Sequence, residues 1–188
     1  MHGYTTEGAR KPRRYTALRP DMTNQEWLNS QSAGDMLAKL HAAQPRFLKN
    51  HVRSIHQFLI ACCWKHQNLI PQEGLRNGLR GAERWLAGEI GDDELHRLNW
   101  YAEAEAFLLD YGSNPDDIGH IKALIDSIDE VRDMPFEQAR SRLLDAAYFA
   151  EGAMIYPLIK PSPWWDRGFT SAFLCPQLLR EHITPDLP

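Results

Sequence analysis

Residues 46–68 read RFLKNHVRSIHQFLIACCWKHQN, the longest apolar helical pattern in the chain. Apolar side chains recur there at intervals of three and four residues, which place them on one face of an α-helix. They are Phe47, Leu48, Val52, Ile55, Leu59, Cys62 and Cys63. The spacing predicts one helix from about Arg46 to about Asn68, with this face buried in the core.

The same helical period continues on both sides of this stretch, without sustained alternation of period two. Thr23 followed three residues later by Glu26 is a capping box, which predicts a helix start. Further helices are predicted over 34–43 and 92–111, from Pro71, Pro115 and Pro135, and in 175–183. We interpret the glycines as breakers at helix ends. The prediction is an all-α fold, a single compact bundle of about seven to eight helices joined by short loops.

Composition divides the chain into two regions. Residues 1–21 contain few aliphatic side chains and no period, which predicts a flexible basic arm. Met22 would also suit as a chain start, so the arm is interpreted as a possible extension. Residues 22–188 are predicted to be the helical domain. Within it, residues 157–175 are rich in proline and tryptophan and are interpreted as an ordered loop.

Length and charge are ordinary for a globular protein: 188 residues, 43% hydrophobic, with a formal net charge of −4. A chain of this length needs neither disulfides nor a metal to build a core. The three cysteines form a poor disulfide framework, which favours a reducing, cytoplasmic setting. No apolar stretch reaches the roughly 20 residues that span a bilayer, so no membrane association is expected.

Four motifs occur in a fixed order: EWL after the capped start, FLIACCW, GAERWLAGE, and QLLREHI near the end. In this order they resemble an uncharacterised all-helical domain family of bacteria with an EWL, F-x-x-ACC, AER and LLR-[DE]-I signature. The resemblance covers about Met22 to Ile183. It implies an all-helical fold, and it implies no activity and no catalytic residues.

Cys62, Cys63 and His66 are the residues in the chain that most suggest metal or thiol chemistry. Positions three and four apart share a helix face, so His66 can approach either cysteine. Adjacent cysteines, however, point about 100° apart on a helix and cannot easily share one ion. Burial as small apolar residues is the favoured interpretation. An enzyme or metalloprotein centred on these three residues is kept as an alternative.

Charge is distributed in two opposite blocks along the chain. Residues 46–84 carry seven basic and two acidic side chains, and residues 89–133 carry three basic and thirteen acidic ones. The favoured interpretation is that the two blocks pack together and partly neutralise each other. The alternative is that the acidic segment binds a charged partner.

Arginines suggest a second function, binding to nucleic acid. Arg76, Arg80 and Arg84 lie four residues apart, and Arg13 and Arg14 lie in the arm. These five are the candidate phosphate-binding residues. The ordered part is nevertheless net acidic, unlike typical nucleic-acid-binding domains, so nucleic acid is the alternative partner and not the favoured one.

The motif PSPWWDRGF contains the candidate protein-binding residues Trp164, Trp165, Asp166 and Arg167. Tryptophan and arginine are enriched at the energetic centres of protein interfaces. The competing interpretation is that the tryptophans cover the helical core. The favoured function is a non-enzymatic protein-interaction module or accessory subunit. No catalytic residue, metal ligand or cofactor is predicted.

Overall fold

The computed structural model describes residues 22–44, 46–159, 170–185 and 187. These residues form nine α-helices and no β-strand, which confirms the all-α prediction. The α-helices are α1 (Asn24–Asn29), α2 (Ala33–Ala43), α3 (Phe47–Asn50), α4 (Val52–Lys65), α5 (Glu73–Leu86), α6 (Asp92–Tyr111), α7 (Pro115–Asp126), α8 (Phe136–Ile155) and α9 (Pro176–His182). Short 3-10 helices span Gln67–Leu69 and Thr170–Phe173.

The predicted capping box is present at the start of α1. The backbone N–H of Glu26 donates to Thr23 Oγ1 at 3.2 Å, and the backbone N–H of Thr23 donates to Glu26 Oε2 at 2.9 Å. Two N–H groups that the helix start leaves unpaired are thereby satisfied. Asn114 caps α7 in a similar way, accepting from the N–H of Asp117 at 2.9 Å, and Pro115 takes the first helical position as predicted.

The helix predicted over 46–68 is interrupted at His51, so it becomes α3, α4 and a 3-10 turn. His51 has φ −117° and ψ 23°, outside the helical range, and its N–H closes α3 on the Phe47 carbonyl. Its ring stacks on Phe47 with centroids 4.5 Å apart. The apolar residues keep their spacing of three and four across the break because a single residue leaves the helical conformation. This break explains why more helices are observed than predicted.

The central packing joins α5, α6 and α8, and α4 packs against both α8 and α5. Small residues allow the close approach: Ala102 and Ala106 on α6 and Ala146, Ala150 and Ala153 on α8 are fully buried. Gly78 and Gly81 lie buried inside α5, where a Cβ would overlap Met154 and Leu98 respectively. The interpretation of the glycines as helix-end breakers is therefore wrong for these two, which are packing positions.

The two ends of the described chain meet beside α4. Helix α9 packs on α4 and α2. Arg180 reaches back to the end of α1, where it donates from Nε to the Trp27 carbonyl at 3.1 Å and from Nη2 to the Ser30 carbonyl. One buried apolar cluster contains residues from Met22 to Ile183. Within the part of the chain that the structure describes, no helix has the length and hydropathy needed to cross a membrane.

Candidate protein-interaction surface

Four aromatic side chains lie exposed on α6. Trp100 is 72% exposed, Tyr101 60%, Phe107 45% and Tyr111 71%. We name this set the aromatic face. Its rings offer on the order of 500 Å² of accessible surface, most of it apolar. Trp100, Phe107 and Tyr111 share one side of α6, and Tyr101 lies about 100° around the helix from Trp100. The largest apolar patch on a monomer is often functional when it reaches roughly 300–600 Å².

Helix geometry explains why these rings point to solvent. Leu95, Ala102, Ala106 and Leu109 are buried against α5 and α8. At 100° per residue, Trp100, Phe107 and Tyr111 fall on the opposite side of the helix. With exposed Ala104 between them, they are spaced four, three and four residues apart. This spacing is the one by which a helix presents an apolar seam to another helix.

Two of the four rings contact each other. Phe107 and Tyr111 meet edge to face, with centroids 5.6 Å apart and planes inclined at 73°. The C-terminal end of α6 is fixed by Arg140 on α8, which donates to the carbonyls of Leu109 at 2.6 Å and Asp110 at 2.9 Å. A cation at this helix end also complements the helix dipole. The aromatic face is therefore presented on a well-supported helix.

Carboxylates border the aromatic face on the side of α8. Glu103 and Asp110 lie along that edge of α6, and Glu151 lies on α8. Burial, together with the charge of Glu103, raises the pKa of Glu151 above its ordinary value. Tyr148 donates its hydroxyl to Asp110 Oδ2 at 2.5 Å. The effect of Glu103 on Glu151 shows that two carboxylates of this rim lie close enough to interact.

Helix α6 as a whole is strongly acidic, with six carboxylates against one arginine. The arginine, Arg97, is already paired with Glu94 through an N–O distance of 2.6 Å. The first turn of α7 adds Asp116 and Asp117 close by in the chain. A partner of positive charge would complement this surface, and one of negative charge would be repelled.

Ion pairing between the two charge blocks is sparse in the described residues. Five ion pairs occur there, and one of them, Arg84 with Glu89 at 3.5 Å, joins residues 46–84 to residues 89–133. That pair spans a single turn between α5 and α6. Ion pairs between the two blocks therefore neutralise little of the acidic charge in the described residues, although α5 and α6 pack closely together.

The basic stripe on α5 is largely engaged within the protein. Arg76 donates to the Ile70 carbonyl at 2.7 Å and to the Gln67 carbonyl at 3.2 Å, so it fixes the turn before α5. Arg80 donates to Asn77 Oδ1 at 3.0 Å, and Arg84 pairs with Glu89. These contacts hold local structure. Arg76 also lines a cavity of about 550 Å³, but Asp129 and Glu130 line it too, and their carboxylates would repel a phosphate.

Cys62 and Cys63 are buried with no exposed surface, as the sequence predicts. Burial raises the pKa of Cys62 to about 12 and that of Cys63 well above its ordinary value. His66 sits beside them but its ring packs edge-on against Phe173, with centroids 5.4 Å apart. No group of three or more His, Cys, Asp or Glu suited to a metal occurs among the described residues. These two thiols are packing groups.

Two sets of predicted binding residues fall outside the described ranges. They are Arg13 and Arg14 in the arm, and Trp164, Trp165, Asp166 and Arg167 in the segment predicted to be an ordered loop. Their assigned roles stay predictions.

The aromatic face was missed at the sequence level, although α6 itself was predicted at 92–111. The helical period predicts the span of α6, and no binding role was predicted for the aromatic residues on it. The signal was present in the sequence as aromatic residues at 100, 107 and 111, spaced like an interface seam. The comparisons with protein-family models, with curated proteins and with solved structures found no match for this chain.

Proposed function

We propose that this protein is a non-enzymatic interaction module that binds a basic amphipathic helix of another protein on the aromatic face of α6. The observation that carries the proposal is the exposure of Trp100, Tyr101, Phe107 and Tyr111 on one helix. An amphipathic helix would place its apolar side chains against these rings, which is a common mode of peptide recognition.

The negative charge of α6 favours a partner with positive charge. Six carboxylates on this helix would repel a second copy of the same surface. A segment carrying lysine or arginine beside its apolar stripe would instead approach Glu103, Asp110 and Glu151 with its cations. The chemistry therefore favours a basic helix over self-association through α6.

Two helical peptides of equal length test this selectivity. Both carry leucine at heptad spacing, one with lysine and the other with glutamate at the remaining positions. Fluorescence anisotropy of each labelled peptide against the full chain gives its dissociation constant. We expect the lysine peptide to bind at least about tenfold more tightly, and the preference to shrink as salt rises. Equal affinity for the two peptides, or binding to neither, would contradict the proposal.

Two further measurements distinguish other occupants of the aromatic face. Light scattering that shows a dimer, together with loss of that dimer in Phe107→Ala, would replace the proposal with self-association. Stronger peptide binding after removal of residues 1–21 would show that the arm, with its own basic residues, competes for the face, and would support a basic ligand. We also propose a cytoplasmic location, because all three cysteines are free thiols, as expected in a reducing compartment.

The alternatives have less support. Nucleic-acid binding rests on Arg13 and Arg14 in the undescribed arm and on Arg76, Arg80 and Arg84, which are engaged within α5 and its flanking turns. A thiol or metal enzyme at Cys62, Cys63 and His66 is disfavoured by the burial and raised pKa of both thiols. The resemblance to the uncharacterised bacterial family stays a prediction.

A further inference from the structure

Lys65, Cys175 and Cys62 form a cluster where α4 meets α9. Lys65 is the last residue of α4, and Cys175 immediately precedes α9. The Nζ atom of Lys65 donates to Sγ of Cys175 at 3.0 Å. Cys62 lies one turn earlier on α4, with its thiol near the backbone N–H of Cys175. The contact brings a thiol and a cation together across 110 residues of sequence.

The two thiols of this cluster differ in ionisation. Burial acts to raise the pKa of Cys175, but the backbone N–H of Leu178, the hydrogen bond from Lys65 and the N–H of Gln177 outweigh it, so its pKa is lowered. The same contact raises the pKa of Lys65, which stabilises its ammonium form. The charge of Lys65 acts on Cys62 as well, but burial outweighs it and raises the pKa of Cys62 to about 12. The 3.0 Å contact and the direction of these pKa shifts together favour a thiolate–ammonium pair at Cys175 and Lys65.

We propose that Cys175, activated by Lys65, is a site of oxidation by small hydroperoxides. The Cys175 thiolate attacks the terminal oxygen of the peroxide, so that an S–O bond forms and the O–O bond breaks. The leaving alkoxide or hydroxide takes a proton from the Lys65 ammonium. The products are Cys175 sulfenic acid, neutral Lys65, and an alcohol or water. Sulfur loses the two electrons that the peroxide gains.

Accessibility suits a small oxidant. Cys175 is 7% exposed, whereas Cys62 and Cys63 have no exposed surface. Lys65 itself is exposed and can be protonated again from solvent. This site lies away from α6, so it is independent of the proposed binding function.

The experiment treats the full chain with hydrogen peroxide for a series of short times and then adds catalase. The protein is unfolded in dimedone, which traps sulfenic acid, and the remaining thiols are alkylated with N-ethylmaleimide. Peptide mass spectrometry then gives the oxidised fraction at each cysteine. We expect the dimedone adduct at Cys175, with Cys62 and Cys63 recovered as alkylated thiols.

Substitution of Lys65 tests whether the lysine activates Cys175 or whether Cys175 is oxidised only because it is the more exposed thiol. Lys65→Gln should slow oxidation of Cys175 by about tenfold, since it removes the cation that favours the thiolate. Lys39→Gln, which removes a lysine paired with Glu26 on α1, is the matched control and should leave the rate unchanged. An unchanged rate in Lys65→Gln, or oxidation of Cys62 as fast as that of Cys175, would overturn the proposal.

Discussion

His56 lies where α4, α5 and α8 meet, with no exposed surface. Its ring packs edge-on against Trp85 of α5, with centroids 5.6 Å apart. Within the described part of the chain, neither ring nitrogen has a hydrogen-bond partner of good geometry. Burial lowers the pKa of His56 to about 4; the Met154 carbonyl partly opposes this shift, and the charge of Arg53 reinforces it. The folded protein therefore holds this histidine neutral.

This burial predicts a pH dependence of stability. An unfolded histidine has a pKa near 6.5, so between pH 6.5 and 4 the unfolded chain binds a proton that the folded chain does not. The stability contribution is fully present above pH 6.5 and is lost as the pH falls toward 4, by up to about 3 kcal/mol. We expect His56→Leu to reduce this part of the pH dependence, as measured from urea unfolding at pH 7 and pH 4.5. The matched control is His120→Leu, at an exposed position on α7, and equal slopes in the two variants would contradict the assignment.

Glycine has two different roles at the scale of the helix. Gly78 faces α8 from inside α5, and a Cβ there would overlap the Cε and Sδ atoms of Met154, which is itself fully buried. Gly119 lies inside α7 with open space around it. Glycine is therefore required for close packing in α5, whereas in α7 it lowers the stability of the helix.

Alanine substitution separates these two roles. Gly78→Ala should destabilise the fold by about 1–3 kcal/mol because the added methyl overpacks the contact between α5 and α8. Gly119→Ala should stabilise it by about 0.5–1 kcal/mol because alanine is the better helix former. Urea denaturation of both variants measures the difference. Equal effects of the two substitutions would mean that α5 does not approach α8 as closely as the structure has it.

Helix starts and core faces were predictable because they depend on local chemistry. The capping pair of Thr23 and Glu26, the start of α7 at Pro115 and the span of α6 follow from spacing and capping preference. The break at His51 did not follow, because it changes one residue's backbone and leaves the apolar period intact. The packing roles of Gly78 and Gly81 need knowledge of which helix lies opposite.

At the scale of the whole molecule, long-range packing decides which residues remain available for function. The sequence places aromatic residues on α6, but their exposure depends on how α5 and α8 cover the other side of that helix. The contact between Lys65 and Cys175 likewise joins positions 110 residues apart. The contact between Lys65 and Cys175 has no local sequence motif, and the spacing of Trp100, Phe107 and Tyr111 does not by itself show that these rings are exposed.

The most direct measurement of the central claim is the dissociation constant of the lysine-rich helical peptide for a Trp100→Ala, Phe107→Ala double variant. Both side chains are exposed, so the fold should persist, which circular dichroism can check. We predict a loss of at least about 2 kcal/mol, roughly thirtyfold in affinity, because aromatic side chains dominate interface energies. Arg80→Ala on α5 is the control and should bind as the unaltered chain does. An unchanged dissociation constant in the double variant would contradict the assignment of α6 as the binding surface.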